Sequence, residues 1–228
     1  MTAALSPPPP CVAAGSADEL TDRLKNLLIF EEGRIVRNGL HVSYRDSKGI
    51  ATIGYGFNLE DGGAAGVLRR VTAKTTADLI AKAAFLTEPE AQALLLISEF
   101  VALKGVCRHF PRFRVIDLPR QIVLSAMVYQ MGEARFGKFR RLIPAVQAQD
   151  WPAATASMEQ SKWSRSDSPL RARRMAAAMR TGAFPPFARP SPPGQRFAAL
   201  SAADGLDTAT PTEPGAPPER KPWPFDNE

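Results

Sequence analysis

Phe30-Glu31-Glu32-Gly33, followed by Tyr44-Arg45-Asp46-Ser47-Lys48-Gly49 and Thr52-Ile53-Gly54-Tyr55-Gly56, is the stretch from which the rest of the chain is read. Ahead of it, Leu20, Leu24, Leu27 and Leu28 recur at three- and four-residue spacing. That spacing predicts an amphipathic helix over about 18–31 with the glutamates in its last turn. Gly33 is expected to end the helix, because glycine takes the left-handed cap without a Cβ penalty. Asn38-Gly39 lies between two short apolar-polar runs, which is a hairpin signal. A second turn is marked by Asp46 to Gly49. A hairpin symmetric about Lys48 pairs Asp46 with Ile50 and Tyr44 with Thr52, so Tyr44, Asp46 and Thr52 share one face.

On that reading a helix-end carboxyl faces a hairpin carboxyl and a hydroxyl. Two carboxylates flanking a cleft suit glycoside hydrolysis: one donates a proton to the leaving oxygen, and the other stays ionised to steer water. Glu-Gly at a helix end, a Tyr-x-Asp-x-x-Gly turn and a Thr-Ile-Gly-x-Gly strand together resemble the phage lysozyme family of muramidases, glycoside hydrolase family 24. The resemblance implies an α+β, bilobal, lysozyme-like fold with a small β-hairpin lobe and a mainly helical C-terminal lobe. It also implies an enzyme that cleaves the bond between N-acetylmuramic acid and N-acetylglucosamine in bacterial peptidoglycan, with no cofactor. By the match, Glu32 is the general acid, Asp46 the second carboxylate and Thr52 the residue that positions water. The family's phage lysozymes imply inversion at the sugar carbon. The connection from Glu32 to Asp46 is longer than the family pattern, and the Asn38-Gly39 hairpin is read as extending the sheet. Where relatives commonly carry histidine after the Gly-x-Gly strand, this chain has Phe57-Asn58. Asn58 is taken as a substrate-binding candidate.

Downstream, residues 60–86 show helical spacing after a turn cluster at Glu60-Asp61-Gly62-Gly63. Thr87-Glu88-Pro89-Glu90 fits a capping box and opens a long connecting helix over about 87–108. After a loop between Pro111 and Pro119, Gln121 to Met131 reads as a helix buried on most sides. The run Met127 to Glu133 resembles the family's C-lobe core helix, with its aromatic-Gln pair, here Tyr129 and Gln130, lining the sugar groove. Two more helices are expected, from Asp150 to Trp163 and from Pro169 to Gly182, and both resemble the family's C-terminal pattern.

Proline divides the chain. Pro7 to Pro10 are consecutive, and residues 184–228 hold eleven of the 21 prolines. Residues 1–19 and 184–228 are therefore expected to be unfolded arms around a catalytic domain at 20–183. Residues 21–183 carry 25 Lys+Arg against 15 Asp+Glu, whereas the ends carry 4 against 8, so the positive charge belongs to the folded part. A basic domain attracts an anionic polymer such as the bacterial wall. No aromatic-basic platform for nucleic acid is visible, and a monomer is expected. Cys11 and Cys107 are expected to be free thiols, and His41 and His109 are too isolated to imply a metal site. Without a basic n-region or a long apolar run, the chain is expected to be made in the cytoplasm, to insert in no membrane and to act on the wall after release or delivery.

Each site residue also has a plainer reading. Glu32 is a solvated helix-end carboxylate, Asp46 a turn residue bonding its own backbone, and Thr52 a strand former. The ordered set favours the chemical reading. Glu31 competes with Glu32, and adjacency to Gly33 favours Glu32. Trp151 and Trp163 are expected in the core, Tyr129 and Gln130 either in the groove or in the core, and Arg171, Arg173 and Arg174 on a solvated face. A lytic transglycosylase and a non-catalytic binder of peptidoglycan or nucleic acid are the alternatives.

Overall fold

A computed structural model describes residues 11, 12 and 14–191; of the arms expected at 1–19 and 184–228, residues 1–10, 13 and 192–228 lie outside the described residues. Helix α1 (Ala14–Glu31) carries Leu20, Leu24, Leu27 and Leu28 as its fully buried stripe. It is followed by β1 (Ile35–Arg37) and β2 (Leu40–Val42), joined through Asn38 at φ 49 and Gly39 at φ 74. Two central residues with positive φ match the twist of the strands that they connect. β3 (Tyr44–Arg45), β4 (Ala51–Ile53) and β5 (Phe57–Asn58) form a three-stranded antiparallel sheet in that order. Tyr44 lies opposite Thr52, and Asp46 N–H donates to the Ile50 carbonyl at 3.0 Å, which is the register the turn implied.

Two local expectations are corrected. β1 and β2 form a separate sheet rather than extending the other one. The backbone N–H and carbonyl of His41 bond to Leu86, at 2.7 and 3.1 Å, and β1 is exposed along its length. Gly33 follows α1 without the left-handed conformation, which among the described glycines belongs to others such as Gly49 and Gly56. The helix end is held instead by Tyr44, whose hydroxyl donates to the Gly33 carbonyl at 2.8 Å.

α2 (Ala64–Leu68) and α3 (Thr76–Ile80) precede α4 (Glu88–His109). The expected capping box is present: Thr87 accepts from Glu90 N–H, and Glu90 accepts from Thr87 N–H. Leu94 of α4 packs with Ile53, Leu59, Leu68, Leu79 and Leu86 in a small core, while Leu95, Leu103 and Val106 join the large one. α4 therefore belongs to both lobes. α5 (Leu118–Met131) is buried from Pro119 to Val128. It starts earlier than read, because Asp117 caps it and Pro119 fits its first turn, where a missing N–H costs nothing. α6 (Glu133–Phe136), α7 (Leu142–Gln147), α8 (Trp151–Glu159), a π-turn at Trp163–Asp167 and α9 (Pro169–Thr181) complete the large lobe. Small antiparallel sheets and predominant helix make the fold α+β.

The ordered domain is wider than 20–183. Cys11 and Val12 are buried, and Cys11 forms a disulfide with Cys107 of α4, their Cα atoms 5.9 Å apart. The expectation of free thiols failed because the N-terminal arm folds back onto the large core. At the other end, Phe187 stacks on Phe30 with centroids 3.4 Å apart. Arg23 donates to the Ala188 carbonyl at 3.0 Å and Asn26 to the Arg189 carbonyl at 2.8 Å. Asp22 accepts from Ser191 N–H at 2.7 Å. Residues 184–191 thus form a strap along α1.

Candidate active site

Glu32 lies one residue past α1, with its N–H still bonded to the Leu28 carbonyl at 2.8 Å. Its Oε1 accepts from Arg171 Nη2 at 2.7 Å. Its Oε2 lies against Gly56, where an added Cβ would sit 3.1 Å away. Gly56 has φ +86, so both its backbone and its neighbour call for glycine. Glu31 faces inward instead, holding Arg174 through three contacts at 2.6, 2.8 and 2.9 Å, with Arg171 Nε at 3.5 Å. Arg171 and Arg174 were expected on a solvated face, but they are the counter-charges of the two glutamates. Their i, i+3 spacing on α9 put them on one face, and the adjacent acids in α1 were the signal that such partners were needed.

Asp46 occupies the β3–β4 turn. Its Oδ1 accepts from Lys48 N–H at 2.8 Å and Ile50 N–H at 2.9 Å. Among the described residues its Oδ2 makes no hydrogen bond. Glu32 and Asp46 both line a cleft of about 990 Å3, together with Gln130, Phe139, Trp163 and Ser168. Tyr44 lies within the field of both carboxylates: burial first, then Glu32 and Asp46, push its hydroxyl up to about 12. It therefore stays a neutral donor at ordinary pH and ties the Asp46 strand to the end of α1.

Gln130 is at the cleft wall. Its Oε1 accepts from Trp163 Nε1 at 2.9 Å, and its Nε2 donates to Ser168 Oγ at 2.7 Å, which leaves one N–H and one lone pair for a ligand. The structure does not bring Thr52, Asn58 or Tyr129 to the cleft wall with these groups. Thr52 is buried behind the Asp46 turn, its hydroxyl donating to the Ile50 carbonyl at 3.1 Å. Asn58 accepts from Glu60 N–H at 2.8 Å, closing its own turn. Tyr129 packs against the large core and donates to the Tyr55 carbonyl at 2.5 Å. Trp163 is buried, and Trp151 packs on the core beneath the Arg120 guanidinium, 4.2 Å from the ring centroid.

Sequence reasoning also missed the brace behind Gly56. Tyr55 donates its hydroxyl to Glu88 Oε1 and accepts from Arg34 at 3.2 Å, while His41 Nε2 meets Glu88 Oε2 at 2.7 Å. The His41 contact, followed by bonds from Tyr55 and Gln92, outweighs burial and lowers the Glu88 carboxyl to about 2. Among the described residues no group of three or more His, Cys, Asp or Glu could hold a metal, and no helix is long and apolar enough to cross a membrane.

No family model matches the chain. Over 170 residues, 72% of this chain and 96% of the relative, it is 24% identical to a Dictyostelium discoideum protein named Probable T4-type lysozyme 2. In sequence and in its α+β architecture the chain is lysozyme-like.

Proposed function

We propose that the chain is a muramidase of the phage-lysozyme type, hydrolysing the β-1,4 bond between N-acetylmuramic acid and N-acetylglucosamine in bacterial peptidoglycan. The observation that carries this reading is one cleft lined by Glu32 from the end of α1 and Asp46 from the β3–β4 turn. Glu32 gives its proton to the leaving oxygen. Arg171 and Gly56 fix the position of its carboxyl, and position is what proton transfer demands first. Asp46 is oriented by two backbone amides through Oδ1, which leaves Oδ2 to take a proton from the attacking water. Thr52 is buried with its proton committed to the Ile50 carbonyl, so Asp46 rather than Thr52 acts on that water. Water attacking from the Asp46 side inverts the anomeric centre.

Two measurements on one digestion test this. The muropeptides should carry ordinary reducing ends, and proton NMR should show the α-anomer first. Products ending in a 1,6-anhydro sugar would replace the reading with a lytic transglycosylase. A first-formed β-anomer would remove Asp46 from its water-activating role.

A further inference from the structure

Beyond the two carboxylates, the same cleft has an arm of opposite charge. The segment Arg135-Phe136-Gly137-Lys138-Phe139-Arg140-Arg141 runs from the last two residues of α6 to the start of α7. Phe136 anchors it with no exposed surface, and Phe139 packs against the large core at the cleft wall. With the aromatic residues turned inward, Arg135, Lys138, Arg140 and Arg141 are exposed and line the cleft. Lys162 lines the same cleft, beside Gln160 and Ser161.

The acids of the cleft do not balance these cations. Glu32 is held by Arg171, and Asp167 is shared between Arg135 at 3.1 Å and Lys162 at 3.7 Å. Among the described residues no carboxylate lies within 4.0 Å of Lys138, Arg140 or Arg141. Arg108 is paired with Glu133 and Arg180 with Glu159, whereas Arg69, Arg70 and Arg112 are exposed without a carboxylate within 4.0 Å among the described residues; Lys138, Arg140 and Arg141 differ from these in lining the cleft. Like charges gathered in a concavity repel one another, and a bound anion relieves that repulsion. Guanidinium groups also match the fork geometry of carboxylates and phosphates.

We propose that this arm is a subsite for an oxyanion carried by the glycan, held by Lys138, Arg140 and Arg141. The proposal rests on the muramidase reading and adds a selectivity to it: glycan with an anionic substituent is preferred over neutral glycan. The oxyanion is either a stem-peptide carboxylate or a phosphodiester attached to the sugar.

The probe is the disaccharide N-acetylglucosaminyl-N-acetylmuramic acid, which lacks the scissile bond. It is prepared with a free-acid stem peptide, with all stem carboxylates amidated, and with an amidated stem plus a phosphodiester on the muramic residue. The full chain should bind at least one anionic form roughly tenfold more tightly than the amidated form, and whichever form gains identifies the source. The triple variant Lys138→Gln/Arg140→Gln/Arg141→Gln should lose that gap. Arg69→Gln/Arg70→Gln/Arg112→Gln removes the same charge from exposed positions outside the cleft and should keep it. Equal binding of all three probes, no binding of any, or a gap that survives in the cleft triple variant overturns the subsite. A chain that shows the gap and yet releases no muropeptides from walls refutes the muramidase reading and leaves the subsite standing.

Discussion

Glu32→Gln exchanges an acid for an amide of nearly the same shape, so the two neighbouring glutamates can be separated by experiment. Wall clearing should fall by roughly 10²–10⁴-fold in Glu32→Gln with the melting temperature little changed, as expected for loss of a general acid. Glu31→Gln should instead keep most of its rate and lose stability, since it weakens a buried pair with Arg174. A dead Glu31→Gln beside an active Glu32→Gln would exchange the roles. A second residue carries its own pH signature. Glu99 is fully buried in α4, and among the described residues neither of its oxygens has a hydrogen-bond partner. Burial pushes its carboxyl well above the usual range, with Lys25 opposing and Asp22 reinforcing the shift. Above the ordinary carboxylate range the unfolded chain has released a proton that the folded chain keeps, so stability falls as pH rises through that window. Glu99→Leu should therefore melt several degrees higher at pH 7, with a gain that shrinks toward pH 4. A gain independent of pH would mean that packing rather than ionisation explains it. Glu99 was not legible beforehand because one glutamate in an apolar helix reads as solvent-facing. Arg171 was missed because it meets Glu32 across 139 positions of sequence.

Elements were legible where local chemistry sets the geometry. The Asn38-Gly39 turn, the Thr87 capping box and the left-handed Gly182 at the end of α9 each depend on a few adjacent residues, and each is present. α6 and α7 were not anticipated, because helices of four and six residues hold too few turns to show a period. The strap at 184–191 was misread for a different reason. Its prolines suggested a chain without structure, yet Phe184 and Phe187 find partners on α1, Arg23 covering the first ring at 4.0 Å. A chain ending at 191 should match the full chain in melting temperature, whereas one ending at 183 should lose about 1–2 kcal/mol from the ring contacts alone. Its catalytic rate should also drop, because Phe30, freed from Phe187, lies two residues before Glu32. Equal melting curves for the two truncations would show that the strap contributes nothing.

On the scale of the whole molecule, two lobes share α4, and the N-terminal arm is tied to that helix by the Cys11–Cys107 disulfide. Cross-linking residues 96 apart should stabilise the fold by roughly 4–5 kcal/mol through restriction of the unfolded chain. Dithiothreitol should therefore lower the melting temperature by on the order of 10 °C, and Cys11→Ala/Cys107→Ala should melt low with or without it. No melting difference between the oxidised and reduced proteins would dismiss the tie as a source of stability. The spacing of two cysteines could not announce this bond, since it forms only once the arm has folded back. The bond also closes a ring of chain that contains Glu32, Asp46 and the whole small lobe, while Arg171 lies outside it. A protease that nicks an exposed turn within the ring, such as Gly62-Gly63, would leave two fragments still joined as one molecule. Their separation on a gel would wait for a reductant, so the region that bears both carboxylates can be cut once without being shed.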